Sequence, residues 1–218
     1  MLKAVIFDFD GTLFDTNDMI IESFTYAIKK VLGYNILPTE IYNVWGRPLK
    51  EQMERFGRNN CQELVNTYRH YYYQISDKLK IFPTGLETID YLKDQGYYVA
   101  ILTNKGRGGL INGLEMFNLM DKIDIYLSKD DLNKPKPDIE GFKIIMDSLK
   151  LRPEEVLMVG DSPSDIIGGK NAGIKTVLVS YTCFKLKEVM KLNPDYFIDQ
   201  LNDLIDIVES DQKHCFSL

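Results

Sequence analysis

From residue 83 onward, two hydrophobic rhythms take turns along the chain. Short continuous apolar runs, "YYVAILTN", "EVLMVGD" and "KTVLVSY", read as buried strands, with "KIDIYLS" and "DYFID" as weaker ones. Between them lie stretches whose apolar residues recur every three or four positions. These are "TGLETIDYLKDQG", closed by Gly96, then "GLINGLEMFNL", "DIEGFKIIMDSL", the short "DIIGGKNAG" and finally "LNDLIDIVE". Alternating strand and helix predict a parallel sheet with helices on both faces. The opening stretch, roughly residues 3–9, matches these strands in character.

The intervening block has a different rhythm. "NDMIIESFTYAIKKVLG" carries Ile20, Phe24, Ala27, Ile28 and Val31 on one stripe and stops at Gly33. Two shorter helical pieces follow, around "TEIYNVW" and "LKEQMERFG". A long one then runs roughly over 60–80, with Leu64, Tyr68, Tyr71, Ile75 and Leu79 on one face. No strand pattern interrupts residues 17–80. The expected architecture is an α/β core built from residues 1–15 and 83–218, with an α-helical insert over 16–82 after the first strand.

Composition narrows the function. With 218 residues, 44% hydrophobic and 27% charged, the chain can bury a sizeable core. A net charge of -6 disfavours nucleic acid as a partner, and any phosphate chemistry needs a local cation. Cys61, Cys183 and Cys215 are odd in number and far apart, which excludes a CxxC knuckle and argues against a disulfide framework. His70 and His214 are too few for a histidine-based metal site. "MLKAVIFDFD" lacks a signal-peptide pattern and no apolar run is long enough to span a bilayer, so a cytoplasmic setting without membrane contact is expected. The terminal "CFSL" formally matches a prenylation box, but Phe216 and Ser217 are not its preferred aliphatic pair, and a frayed tail is the better reading.

Candidate chemistry gathers where the strands end. In an open parallel sheet, ligands bind beyond the carboxyl ends of the strands. After the first strand come Asp8 and Asp10, and after "VAIL" come Thr103, Asn104 and Lys105. The loop "NKPKPD" follows the weaker strand, and Asp161 and Asp165 follow "VLMV". Two unit charges about 4 Å apart repel by roughly 4 kcal/mol at an effective dielectric of 20. Several carboxylates at one crevice therefore call for a divalent cation, and hard oxygen donors suit Mg²⁺.

These stretches resemble a known family. "DFDGTLFDT", "ILTNK", "NKPKPD" and "GDSPSD" look like the four motifs of the haloacid dehalogenase superfamily, in order and approximate spacing. The helical insert is similar to the C1-type cap of the phosphoglycolate phosphatase and β-phosphoglucomutase branch. The resemblance implies a Rossmann-like core and a phosphatase that forms an aspartyl-phosphate. It implies Asp8 as nucleophile and Asp10 as general acid and then base. It implies Mg²⁺ held by Asp8, the Asp10 backbone carbonyl and Asp161. Thr103 and the Asn104 backbone N–H would bind phosphoryl oxygens, and Gly11 would permit the sharp turn beside them. Lys134 would offset charge, with Asp165 orienting it, although "KPKP" offers Lys136 as a second frame. In the cap, "VWGRPLKEQM" makes Arg47 and Lys50 candidates for substrate binding.

The substrate implied is a small phosphorylated metabolite, phosphoglycolate-like first and pyrophosphate second, acted on by a monomer or homodimer. A β-phosphoglucomutase-like mutase is weakened by Ile20, which stands where that pattern has a histidine. A non-catalytic phosphate-binding regulator is weakened by the presence of both Asp8 and Asp10.

Overall fold

In the computed structural model, residues 1–215 are described, with side chains through residue 212. Phe216, Ser217 and Leu218 of the "CFSL" match, and the Cys215 side chain, lie outside what is described. The chain divides into two compact units, residues 1–14 with 81–218 and residues 15–80.

The first unit opens on β1 (Ala4–Phe7), whose four residues are all buried. It is shorter than the apolar run suggested, because the ladder stops where the carboxylates begin. β2 (Phe14–Asp15) follows at the crossing into the second unit.

That second unit is helical. α1 (Asn17–Leu32) stops where Gly33 takes φ 81 and donates its N–H to the Lys29 carbonyl. α2 (Pro38–Tyr42) and α3 (Leu49–Gly57) are short, and α4 (Cys61–Gln74) runs back along α1. Phe24 of α1 meets Tyr68 of α4 edge-on at 5.1 Å between ring centres, and Tyr26 stacks on Tyr71 at 4.0 Å. The single long helix expected over 60–80 is broken. α4 ends at Gln74, a 3-10 turn covers Ser76–Lys78, and β3 (Lys80–Ile81) begins the return. Leu79 stays buried after the helix has ended, so its place on the apolar stripe reported burial and not helical register.

The rest of the first unit alternates as expected. α5 (Gly85–Asp94) leads to β4 (Tyr98–Leu102), and α6 (Arg107–Met116) leads to β5 (Ile125–Leu127). α7 (Glu140–Leu149) precedes β6 (Val156–Gly160), and α8 (Pro163–Asn171) precedes β7 (Lys175–Val179). α9 (Leu186–Met190), β8 (Tyr196–Ile198) and α10 (Asp203–Cys215) complete it. The six-stranded sheet is parallel, in the order β5-β4-β1-β6-β7-β8. β1 is central, with Ala4 level with Tyr98 on one side and Val156 on the other. Alternation puts Ala4, Ile6, Ala100, Leu102, Val156 and Met158 on one face, packed with Phe142, Ile145 and Met146 of α7. Val5, Phe7, Val99, Ile101, Leu157 and Val159 point the other way and are equally buried, so both faces are covered. Topology reverses direction across β1, which places the crevice beyond the carboxyl ends of β4, β1 and β6.

The far end of β1 is held by charge. Buried Glu155 accepts from Lys3 Nζ at 2.7 Å and from the Arg152 N–H at 2.8 Å. These bonds, led by Lys3, lower its carboxyl from the usual 4.5 to about 2. A depressed folded-state value stabilises the fold above 4.5 and loses that stabilisation as pH falls through about 2. Glu155→Gln is therefore expected to melt lower than the native chain at pH 7. It should also show a flatter loss of melting temperature between pH 4.5 and 2, followed by circular dichroism.

Candidate active site

Asp8 is the first residue beyond β1. Its N–H donates to the Val159 carbonyl at 2.9 Å, one step past the ladder. Its Oδ1 accepts from the Phe9 N–H at 2.6 Å and stands 3.0 Å from Lys136 Nζ. The chain then turns back on itself, with Phe14 N–H to the Phe9 carbonyl and Gly11 N–H to the Phe14 carbonyl, both at 2.9 Å. Gly11 takes φ 78, and a Cβ there would lie 2.6 Å from Asp161 Oδ2. Backbone handedness and lack of space both require glycine beside that carboxylate.

The loop after β6 brings two acids. Asp161 is buried, and Thr182 Oγ1 donates to its main-chain carbonyl at 2.7 Å while lying 3.3 Å from its Oδ2. Asp165, in the first turn of α8, accepts at Oδ2 from the Ser162 N–H at 3.0 Å and the Ser162 hydroxyl at 2.6 Å. Its Oδ1 accepts from Lys136 Nζ at 2.6 Å.

Lys136, and not Lys134, is the lysine beside Asp8. Its three ammonium hydrogens meet three oxygens, on the Leu102 carbonyl at 2.6 Å, Asp165 at 2.6 Å and Asp8 at 3.0 Å. The Lys134 side chain is 72% exposed and comes no closer than 3.9 Å to Asp138. The expectation for Lys134 is corrected accordingly. Residues two apart share a side in an extended segment, so spacing alone does not separate the two lysines. Here the loop bends at Lys134 and turns from Pro135 to Asp138, and only the tertiary fold chooses which lysine faces inward. Asp165 orients Lys136 in consequence.

Thr103 and Asn104 follow β4. Thr103 is buried, its N–H donates to the Leu127 carbonyl at 3.0 Å, and its hydroxyl accepts from the Lys105 N–H at 3.1 Å. Asn104 Nδ2 donates to the Lys136 carbonyl at 3.0 Å, tying the loop after β4 to the loop that carries Lys136. Asp10 lies farther out, with Oδ1 2.8 Å from Lys105 Nζ. Asp8, Asp10, Gly11, Thr103, Asn104, Asp161 and Asp165 thus share the first unit, at the carboxyl ends of β1, β4 and β6. Arg47 and Lys50 belong to the helical unit and are exposed there. Sequence reasoning missed Thr182, because a hydroxyl that serves a distant carboxylate carries no spacing signal of its own.

Electrostatics at the centre favour a bound cation. Burial is the largest influence on Asp8. Lys136 opposes it, the Asp165 and Asp10 carboxylates add to it, and the carboxyl is pushed from 3.8 up to about 7. Burial, with the Asp165 and Asp8 carboxylates, pushes Asp161 well above 3.8. Burial alone would lower Lys136, but Asp165 and Asp8 outweigh it and raise the ammonium. One oxygen each from Asp8, Asp161 and Asp165 lies within 4.8 Å of the others, and all three residues are buried. Both Asp165 oxygens already accept hydrogen bonds, which leaves Asp8 and Asp161 as the better donors. This hard-oxygen set fits Mg²⁺.

Residues 5–179 match the model of the family described as haloacid dehalogenase-like hydrolase. The chain is 36% identical over 208 residues to "Pyrophosphatase PpaX" of Halalkalibacterium halodurans, covering 95% of this chain and 97% of that one. It is 34% identical over 208 residues to the protein of the same name in Bacillus mycoides, with the same coverage of 95% and 97%. Among solved structures, a Haemophilus somnus protein described as a predicted phosphoglycolate phosphatase superposes with a TM-score of 0.85 at 23% identity, over 95% of this chain and 98% of that one. At that identity the likeness speaks for the fold. No helix among the described residues is long and apolar enough to cross a membrane.

Proposed function

The chain belongs to the haloacid dehalogenase-like hydrolase family and is a phosphatase, and we propose that its substrate is inorganic pyrophosphate, cleaved with Mg²⁺ through an aspartyl-phosphate on Asp8. The observation that carries the chemistry is the placement of Asp8 at the end of the central strand, 3.0 Å from a buried lysine and beside Asp161. The choice of pyrophosphate rests on the full-length relatives of that name at 34–36% identity. It reverses the order suggested by the sequence motifs, which put a phosphoglycolate-like monoester first.

In this reading Asp8 attacks phosphorus in line with the bridging oxygen, and covalent catalysis splits one hard displacement into two. Lys136, fixed by three oxygens, favours the ionised form of Asp8 against its burial. The Thr103 hydroxyl and the Asn104 N–H hold non-bridging oxygens. Asp10 gives a proton to the departing group and later takes one from the water that opens the aspartyl-phosphate. Mg²⁺, when bound by Asp8, the Asp10 backbone carbonyl and Asp161, supplies positive charge that offsets repulsion between carboxylate and phosphoryl group. The helical unit is proposed as a substrate-selecting cap, with Arg47 and Lys50 its candidate contacts. A cytoplasmic location and a monomer or homodimer accompany the reading.

Phosphate release by the purified protein tests it, on pyrophosphate, phosphoglycolate, hexose phosphates and nucleoside monophosphates. Pyrophosphate is expected to exceed the others in kcat/KM by at least about 10-fold. EDTA should abolish release, and added Mg²⁺ should restore it. Phosphoglycolate leading would replace the substrate. Interconversion of hexose phosphates without release would point to the mutase. Phosphate binding without turnover would point to the regulator.

A further inference from the structure

Lys105 stands on the loop after β4 and has no part in the chemistry above. Its stem is laid across α6, where a Cβ on Gly109 would fall 2.6 Å from Lys105 Cε. Its Nζ lies 5.2 Å from the centre of the Phe9 ring and 2.8 Å from Asp10 Oδ1. Its backbone is fastened too, through its N–H on Thr103 Oγ1 at 3.1 Å and its carbonyl on the Lys129 N–H at 3.2 Å. The ammonium is therefore held in place, but in a different setting from that of Lys136. The Lys136 side chain is 1% exposed and its hydrogens are committed to Leu102, Asp165 and Asp8. The Lys105 side chain is 11% exposed, and its partner Asp10 is 21% exposed.

We infer that Lys105 is a specificity residue that puts positive charge beside the leaving group, and so favours substrates whose leaving group carries its own negative charge. The second phosphoryl group of pyrophosphate and the carboxylate of phosphoglycolate both qualify, whereas a neutral alcohol does not. The inference rests on the reading that Asp10 meets the leaving oxygen. An ammonium 2.8 Å from Asp10 Oδ1 is then within about 8 Å of that oxygen, whichever carboxylate oxygen meets it, a separation over which a partly shielded site still transmits charge. Asp8, Asp10, Asp161 and Asp165 crowd negative charge at this edge. An anionic leaving group entering on the Asp10 side is repelled unless a cation accompanies it. Lys136 cannot serve, since its three hydrogens are already taken.

The test compares phosphoglycolate with 2-hydroxyethyl phosphate, a substrate of similar size with a hydroxyl in place of the carboxylate. Lys105→Met keeps an unbranched stem over Gly109 and Phe9 and removes the charge, while Lys105→Arg keeps the charge. The ratio of kcat/KM for phosphoglycolate over 2-hydroxyethyl phosphate is expected to fall at least about 10-fold in Lys105→Met and to stay within about 3-fold of native in Lys105→Arg. Pyrophosphate turnover should fall alongside phosphoglycolate. If both members of the pair slow alike, the inference is overturned and Lys105 is a prop for Asp10. A native enzyme indifferent to leaving-group charge overturns it as well. A native enzyme that prefers phosphoglycolate to pyrophosphate overturns only the pyrophosphate reading, because the Lys105 contrast is read on the other pair.

Discussion

Asp8→Asn is expected to lower phosphate release by at least about a thousand-fold while leaving the fold intact. An amide matches the carboxylate in shape, so the Phe9 N–H keeps an oxygen acceptor and Asp165 still pairs with Lys136. What disappears is the nucleophile, and no neighbouring carboxylate can replace it. Asp161 belongs to the proposed metal set, and Asp165 has both oxygens engaged. Stability should respond in the opposite direction to activity. Burial holds the native Asp8 carboxyl at about 7, above its usual 3.8. A raised folded-state value means stability fully present below 3.8 and lost as the pH climbs through about 7. Without Mg²⁺, the native protein should therefore melt progressively lower over that span, and Asp8→Asn should remove part of the slope. Turnover measured with Mg²⁺ reads the first effect, and melting curves across that pH range in EDTA read the second. Retained turnover in Asp8→Asn would remove the aspartyl-phosphate from the mechanism.

Lys136→Met should lose both activity and stability, whereas Lys134→Ala should lose neither. In the first variant Asp8 and Asp165 stay buried with their shared ammonium gone. Breaking a buried ion pair on one side costs about 3–5 kcal/mol. For a chain of this size that corresponds to a melting temperature lower by roughly 10 °C. Activity should fall by about a hundred-fold or more even well below the melting transition, since Asp8 loses the charge that favours its ionised form. Lys134 is 72% exposed, and its removal should stay within about 0.5 kcal/mol of native. The two variants side by side separate the two frames offered by "KPKP". Equal behaviour of the pair would refute the placement of Lys136.

The alternation of strand and helix was legible because a parallel sheet buried on both faces needs continuous apolar runs, and "YYVAIL" and "EVLMV" are such runs. The acids Asp8, Asp10, Asp161 and Asp165 were legible for a related reason. Charge that follows a buried strand directly is costly without a purpose, and the same placement recurs after β6. Helix 61–74 was overextended to residue 80 because the apolar stripe continued through Ile75 and Leu79, and periodicity alone does not separate a helix from a buried turn and strand. Local sequence therefore determined the element types, the sheet class and the acids at the strand ends, since each follows from neighbours along the chain. Only the tertiary structure decided that Lys136 faces inward while Lys134 does not, that Thr182 serves Asp161, and that Lys105 lies against Asp10. The separations involved, 95 residues for Lys105 and Asp10 and 21 for Thr182 and Asp161, are bridged by the sheet, and no local rule of spacing reaches across them.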